Sequence, residues 1–411
     1  MPKLTCEDDS FQAKRRFIRR LGKALHQMGT PAFRWEAYLN EVSLLLNVKG
    51  QYLATPTYLT FVFGDVDLGD THTEIMRVTP GDLDLGKLAD VDRLVHELID
   101  GAIDIEQADF RIRQIANINR DDHLGQVAAF ALTSLSFAIL MGTNWYDVFF
   151  SGLLGGFVYG MIILASKNPR FTMSLEATSS LLTAFIATAL SFFVPSINPP
   201  LIVLSAIIVF IPGLALTMGL EELAQRSLIS GTARVMDALM MMFKLLFGAM
   251  IGLFIGHFLF PDAGSNYAVT LPLWSKWVGI MGLSLSLLKV FSINPEHWFW
   301  SLLSGIIAYA ATTIASHYFG YSLGCFIGAL AVGLYSNFIS HQLRTPSSIF
   351  LLQGIIILVP GSKAYMGLNA LIDGSSMVAG NDIGNQVLVI LMSIIGGLIF
   401  ANTIIRPKKL L

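Results

Sequence analysis

The sequence predicts a polytopic α-helical membrane protein, with ten transmembrane helices as a 5+5 inverted repeat, two of them broken, behind a small N-terminal α/β domain on the cytoplasmic side. Three observations predict it. Of the 411 residues, 54% are hydrophobic and 14% charged, with a mean hydropathy of +0.61, too apolar for an ordinary soluble chain of this length. The charges are segregated: 35 of the 56 Asp, Glu, Lys and Arg residues precede His123, leaving 21 for the remaining 289 positions. Finally, one pattern is written twice with the same spacing. Ile211-Pro212-Gly213 is followed by Met218-Gly219-Leu220 and Leu223, and Val359-Pro360-Gly361 by Met366-Gly367-Leu368 and Leu371.

The boundaries that follow are 1–123 for the soluble part, 124–260 for the first membrane repeat and 261–411 for the second. In the soluble part, Phe17, Ile18, Leu21 and Leu25 recur at helical spacing between Lys14 and Met28, and Pro31 suits the first turn of a helix to Leu46. Gln51 to Phe63 and His72 to Val78 are rich in Tyr, Val, Phe and Thr and read as short strands, broken at Pro56 and at the Gly64–Asp70 turn. Leu88–Ile99 and Ile105–Ile118 return to helical spacing. Met1 to Arg20 carries basic residues with no apolar core behind them, so no cleavable signal peptide is expected.

Apolar runs of about twenty residues place membrane helices at Gly125–Gly142, Val148–Ala165, Leu175–Val194, Pro200–Leu220, Thr232–Phe260, Leu273–Phe291, His297–Ser316, Tyr318–Ser340, Ser347–Leu368 and Ile383–Ile405. The fourth and ninth contain the Pro-Gly pairs. Five helices per set, an odd number, force the second set to enter the membrane upside down. Loop charge orients the whole. With the N-terminal domain inside, the inner loops carry Lys167, Arg170, Arg226, Arg234, Lys289, Arg344, Arg406, Lys408 and Lys409, and the outer ones only Lys276 and Lys363. Lys244 falls within the fifth helix. Glycine ladders at 152, 156, 160, at 248, 252, 256 and at 320, 324, 328 mark close helix packing.

Proline removes a backbone donor and glycine admits unusual dihedrals, so each Pro-Gly pair breaks its helix at membrane depth. Ordinary proline kinks are the plainer reading, but the matched flanks argue for paired breaks around a transport site, because lipid cannot satisfy freed peptide groups. Ionisable and polar residues near the breaks are then the candidates: Pro212, Gly213, Thr217, Glu221, Glu222, Arg234 and Asp237 at the first, and Pro360, Gly361, Ser362, Lys363, Tyr365 and Asn369 at the second, with Asp373 and Asp382 beyond. Arg234 and Asp237 are three residues apart on one helix face and are expected to pair. A carboxylate that changes protonation between inward and outward states would couple transport to protons, and Glu221, Glu222 and Asp237 are the first choices. Exposed amides or a cation would hold a substrate carboxylate; free carbonyls or a carboxylate would hold an ammonium.

Other classes are weaker. Gly81-Asp82-Leu83-Asp84-Leu85-Gly86-Lys87-Leu88 has the spacing of a phosphate loop, but Leu88 stands where Ser or Thr should meet magnesium and the aspartates would repel phosphate. A net charge of −2 gives no footprint for nucleic acid. Cys6, Cys325 and eight scattered histidines form neither a disulfide framework nor a metal set, so no cofactor is expected. A membrane-anchored hydrolase would need a nucleophile that the N-terminal part does not display, and a passive channel would show ring symmetry rather than an internal repeat.

The pattern resembles the bacterial threonine/serine exporter family. Pro212-Gly213 with Gly231-Thr232-Ala233-Arg234 is similar to that family's first membrane motif, Pro360-Gly361-Ser362 with Tyr365-Met366-Gly367-Leu368 to its second, and Gly29, Arg34 and Glu36 to its Gly-x-x-x-x-Arg-x-Glu opening. The resemblance implies a fused exporter, not an enzyme, in the bacterial cytoplasmic (inner) membrane with both termini inside, expelling threonine, serine or similar small amino acids on the proton-motive force. Split relatives in the family resemble exporters of C4-dicarboxylates such as succinate, which keeps that substrate class open, and a cation at Lys363 would favour an anion. The implied partners are the amino acid, protons and the lipid bilayer; a homo-oligomer is compatible with this reading.

Overall fold

A computed structural model describes residues 6–65, 70–81, 83–118, 122–261, 271–372 and 377–407; the side chains of 6–10, 65, 70, 169, 368–372 and 377–382 lie outside that description. The N-terminal region is α1 (Cys6–Gln27), α2 (Ala32–Leu45), β1 (Gly50–Ala54), β2 (Tyr58–Asp65), β3 (Asp70–Arg77), α3 (Leu85–Ile99) and α4 (Ile105–Asn117). Its sheet is an antiparallel meander, β1-β2-β3, with Tyr52 opposite Phe61 and Phe61 opposite Glu74. The expected break at Pro56 separates β1 from β2. Phe17, Ile18, Leu21 and Leu25 of α1 are fully buried against Phe61 and Trp35, and the Trp35 indole donates to the Gly22 carbonyl at 2.7 Å. Three of the four arginines of α1 are tied down: Arg15 and Arg19 reach Glu74, and Arg20 reaches Asp109. The phosphate-loop lookalike is a helix start, with Asp84 accepting the Lys87 N–H at 2.9 Å to cap α3.

The membrane part is α5 (His123–Met141), α6 (Trp145–Ser166), a short α7 (Pro169–Thr172), α8 (Leu175–Phe193), α9 (Pro199–Ala206), α10 (Gly213–Ala224), α11 (Leu228–Leu259), α12 (Ser275–Val290), α13 (Trp298–Phe319), α14 (Tyr321–Leu343), α15 (Ser348–Leu358), α16 (Gly361–Ile372) and α17 (Met377–Ile404). Among the described residues eight helices are long and apolar enough to cross a membrane, nine when the pair bent by 55° between Pro199 and Ala224 is taken as one span. The chain is therefore a polytopic helical membrane protein. At 16 residues, α12 is shorter than the expected Leu273–Phe291 helix. Gly320 belongs to no packing ladder: at φ +82 it turns the chain between α13 and α14, and a side chain there would meet nothing among the described residues.

Both expected breaks are present, in different forms. The first contains a 3-10 turn, Ile208–Phe210, then Pro212 at φ −80, ψ 42, with the Gly213 N–H donating to the Ile211 carbonyl at 2.8 Å, an inverse γ-turn before α10. The second interrupts the helix at Val359 and Pro360, yet Ser348–Gly367 runs on as one apolar stretch.

Corresponding helices make corresponding contacts. A Cβ on Gly155 of α6 would strike the Ser134 hydroxyl of α5, and one on Gly305 of α13 the Ser284 hydroxyl of α12, both members lying 150 residues further along. Likewise Gly219 faces Val235 and Gly367 faces Ile383, an offset of 148. Where α5 meets α12 the register is antiparallel: Gly279 lies against Ile139, Gly282 against Ser136, and Thr133 donates to the Ser286 hydroxyl at 2.8 Å.

The ladder on α11 packs backbone against backbone: Gly248 leaves no room for a Cβ beside the Ala177 carbonyl of α8, nor Gly252 beside that of Leu181. Gly160 of α6, in contrast, faces open space. Gly248→Ala is therefore expected to destabilise the protein by about 1–3 kcal/mol, read as a lower melting temperature in detergent, with Gly160→Ala near neutral; equal melting temperatures would refute this packing.

Candidate functional site

The two interruptions meet. A Cβ on Gly213 would lie 2.6 Å from Val359 Cγ1 and 3.1 Å from the Gly361 Cα, and one on Gly361 would lie 3.1 Å from the Gly213 Cα. No residue but glycine gives this approach on both sides. Around the contact, Thr217 turns inward and donates to the Gly213 carbonyl at 3.1 Å, while Tyr365 of α16 is buried in the apolar cluster of the first half with Ile211 and Leu216. From the glycines, α10 and α15 run antiparallel, since Gly213 lies by Val359 whereas Met218 and Glu221 share a cavity lining with Leu352 and Ser348.

The carboxylates expected to serve transport sit at the far end of that groove, against the N-terminal region. Glu222 is fully buried. Its carboxylate accepts from Arg234 Nε at 3.0 Å and Nη2 at 3.2 Å, and from the Ala32 backbone N–H of α2 at 2.9 Å. The expected Arg234–Asp237 pair does not form: Arg234 points across to α10 and Asp237 is exposed. A buried carboxylate with a second donor outcompetes a surface partner three residues away, because exposed pairs contribute little. Glu221, 8% exposed, faces Arg34 at 3.6 Å.

The opening motif of the N-terminal region thus reaches the membrane part. Gly29 adopts φ +79 with the Leu83 backbone close by, Arg34 meets Glu221, and Glu36 accepts the Ala54 N–H at 3.0 Å. Burial pushes the Glu36 carboxyl up, against the pull of that hydrogen bond. Nearby, Ser230 of α11 donates to the Ala54 carbonyl at 3.0 Å. On the second half, the Leu85 N–H donates to the Phe291 carbonyl at 3.1 Å, Asn294 donates to Asp90 at 3.0 Å, and Arg93 pairs with Glu296. One apolar cluster runs from Phe17 through Leu88 to Met218, Leu288, Ile349 and Phe350.

At the second break, Ser362 and Lys363 are partly buried, and the Lys363 ammonium lies 4.0 Å from the centroid of the Tyr321 ring. Asp373 and the side chains of Asn369 and Asp382 lie outside the described residues. Sequence reasoning missed Asp147: it is 2% exposed at the start of α6 and accepts the Asn198 N–H at 2.8 Å beside the first turn of α9. Its signal was Asn144, the cap three residues earlier, whose side chain accepts the Asp147 N–H. His26 marks the docking face, its Nε2 3.1 Å from the Pro56 carbonyl. Burial holds its imidazole below the ordinary value of 6.5, Arg234 adding to this while the Pro56 carbonyl and Glu222 oppose it.

Two family models match the chain: one described as "Putative threonine/serine exporter" over residues 16–256, and one as "Threonine/Serine exporter, ThrE" over 277–404. Among curated proteins, the chain is 26% identical over 367 residues to "Pheromone-regulated membrane protein 10" of Eremothecium gossypii, covering 85% of this chain and 48% of that one. The same-named proteins of Candida glabrata (25% over 401 residues, 94% and 49%) and Saccharomyces cerevisiae (24% over 383 residues, 90% and 49%) are similar. The chain spans about half the length of these relatives. No solved structure matches it.

Glu222→Ala would leave Arg234 without its carboxylate and the Ala32 N–H without an acceptor, at a cost of about 3–5 kcal/mol. The expected readout is faster amide exchange in α2, by at least about a hundredfold, with Glu222→Gln less severe; protection unchanged in the alanine variant would remove Glu222 from the docking contact. As pH falls below 6.5, His26 in the unfolded chain takes up a proton that the folded one refuses, so the N-terminal region should lose stability progressively with acidification. In His26→Gln, the same exchange measurement between pH 7 and pH 5 should lose that component.

Proposed function

The chain belongs to the threonine/serine exporter family, and from that premise we propose that it is a secondary exporter of small polar amino acids, threonine and serine, driven by the proton-motive force. The substrate crosses between the two Pro-Gly interruptions. The observation that carries this is the contact of Gly213 with Gly361, which brings both helix breaks to one place where freed backbone groups can face a polar solute. The repeated contacts at offsets of 150 and 148 residues, with α5 antiparallel to α12, support a 5+5 inverted repeat of ten spans, with α12 and the bent pair each counted as a span. Such a repeat alternates access by rocking one half against the other around a fixed centre.

Loop charge supports placing the N-terminal region and both termini on the cytoplasmic side of a bacterial inner membrane. On that placement α10 and α15 line the inner half of the pathway, and Glu221 is the carboxylate free to trade a proton, since Glu222 is committed to Arg234. A second reading, export of C4-dicarboxylates, is favoured by one feature: Lys363, a cation beyond the second break, which would suit an anionic solute.

In liposomes holding the purified chain, an imposed pH gradient is expected to drive labelled threonine, competed by serine and not by succinate. Succinate movement alone would transfer the reading to dicarboxylates and to Lys363. Gly361→Ala places a methyl group against Gly213 and Ile211 Cγ2, both about 3.1 Å away, and should lower transport at least tenfold while the protein still inserts. Full activity in that variant sinks the site assignment.

A further inference from the structure

At the inner end of the groove, a cavity of about 20 Å³ is lined by Thr30, Arg34, Met218, Glu221, Ser348 and Leu352. It has room for roughly one water. Arg34 and Glu221 face each other there at 3.6 Å, beyond hydrogen-bonding distance, although both side chains are largely buried, 18% and 11% exposed. Two hydroxyls in the lining, Thr30 at 5% and Ser348 at 6% exposure, have no hydrogen-bond partner among the described residues. Buried hydroxyls are seldom left so, because desolvation is not repaid. A loosely engaged guanidinium and carboxylate flanked by two idle hydroxyls is the complement of a hydroxy amino acid: carboxylate, ammonium and side-chain hydroxyl each find a counterpart.

We propose that Arg34 and Glu221 form the cytoplasmic loading site for the zwitterion, and that the 29–36 segment seated on α10 is the inner gate which the bound amino acid lifts. This rests on the amino-acid exporter reading and deepens it. From Gly213 to Glu221 is eight helical residues, about 12 Å, so the site lies directly below the paired breaks, where a solute from the cytoplasm would arrive first. The closed cavity is too small for an amino acid, so binding requires Arg34 and Glu221 to separate. A ligand that fits only the separated state shifts the equilibrium toward it. Separation orphans no charge: Glu222 keeps Arg234, both belonging to the membrane part, while the zwitterion's carboxylate satisfies Arg34 in the forked geometry guanidinium favours and its ammonium satisfies Glu221. A dicarboxylate would satisfy Arg34 and be repelled by Glu221.

The test uses the full chain in detergent with Cys6→Ser and a reporter, Ala54→Cys, at a buried position under Ser230. Labelled threonine binding is measured by equilibrium dialysis, and opening by the rate of modification with a bulky thiol reagent. Threonine is expected to raise that rate at least fivefold and succinate to leave it unchanged. Arg34→Gln and Glu221→Gln should each weaken threonine binding at least tenfold, and the double variant little more than either alone. Because Arg34→Gln also loosens the docked state, Arg34→Lys serves as the second variant, keeping the charge and the slow basal labelling while losing the forked contact and several-fold in affinity. Unchanged threonine affinity in both Gln variants, with transport intact in the parent, overturns the loading site and leaves the exporter standing. A parent chain that neither binds nor moves threonine overturns both.

Discussion

Backbone that leaves a helix inside a membrane must find partners within the protein, because hydrocarbon offers none. This chain meets the constraint locally, the Gly213 N–H turning back to the Ile211 carbonyl and the Val359 N–H to that of Ile355, and then presses its two interruptions against each other, Gly213 to Gly361. The approach depends on the absence of two side chains, and much of the surrounding packing follows from it. Tyr365 is carried into the apolar cluster of the first half, Leu214 packs on that of the second, and α10 and α15 are brought side by side. The glycines of α11 play a different part, locking α8 to α11 within one half so that the half can act as a unit.

The N-terminal region is joined to this frame by a shared core. Phe17 and Leu88 belong to the same buried cluster as Leu288 and Phe350, and polar ties reach both halves: Ala32 to Glu222 and Ala54 to Ser230 on one, Leu85 to Phe291 and Asp90 to Asn294 on the other. The N-terminal region is thus fastened to elements from both parts of the membrane region. The fastenings are unequal. The Glu222 cluster is closely bonded, whereas Arg34 and Glu221 stand apart at 3.6 Å, so the looser pair is where motion costs least.

Much of the fold was legible because it depends on local chemistry. Pro212-Gly213 and Pro360-Gly361 declare a break wherever they fall in an apolar run, and Phe17, Ile18, Leu21 and Leu25 declare the buried face of α1. The site was half legible. Sequence spacing could propose Arg234–Asp237, since three residues on a helix is a local relation, but it could not see Glu222 arriving from a neighbouring helix with Ala32, 190 residues away, as its second donor. Glu221 and Glu222 read alike as adjacent acids. Only tertiary structure separates one closed in a bonded cluster from one beside a cavity. Asp147 was missed because its acceptor role depends on Asn198, a contact made by the turn of the chain rather than by any motif.

The internal offsets carry one more step. Gly155 and Gly305 stand 150 residues apart, Gly213 and Gly361 only 148, so the stretch from Gly305 to Gly361 is two residues shorter than that from Gly155 to Gly213. The connections in that interval differ: α6 and α8 are joined by a short helix, Pro169–Thr172, whereas α13 and α14 are joined by Gly320 alone. Contacts on either side of the difference remain matched, Ser134 with Gly155 against Ser284 with Gly305, and Gly219 with Val235 against Gly367 with Ile383. The difference in length coincides with connections of different form. The helix faces and the breaks kept their register because a shift of one residue in a helix turns a face by about 100°, carrying a glycine away from the backbone it must admit.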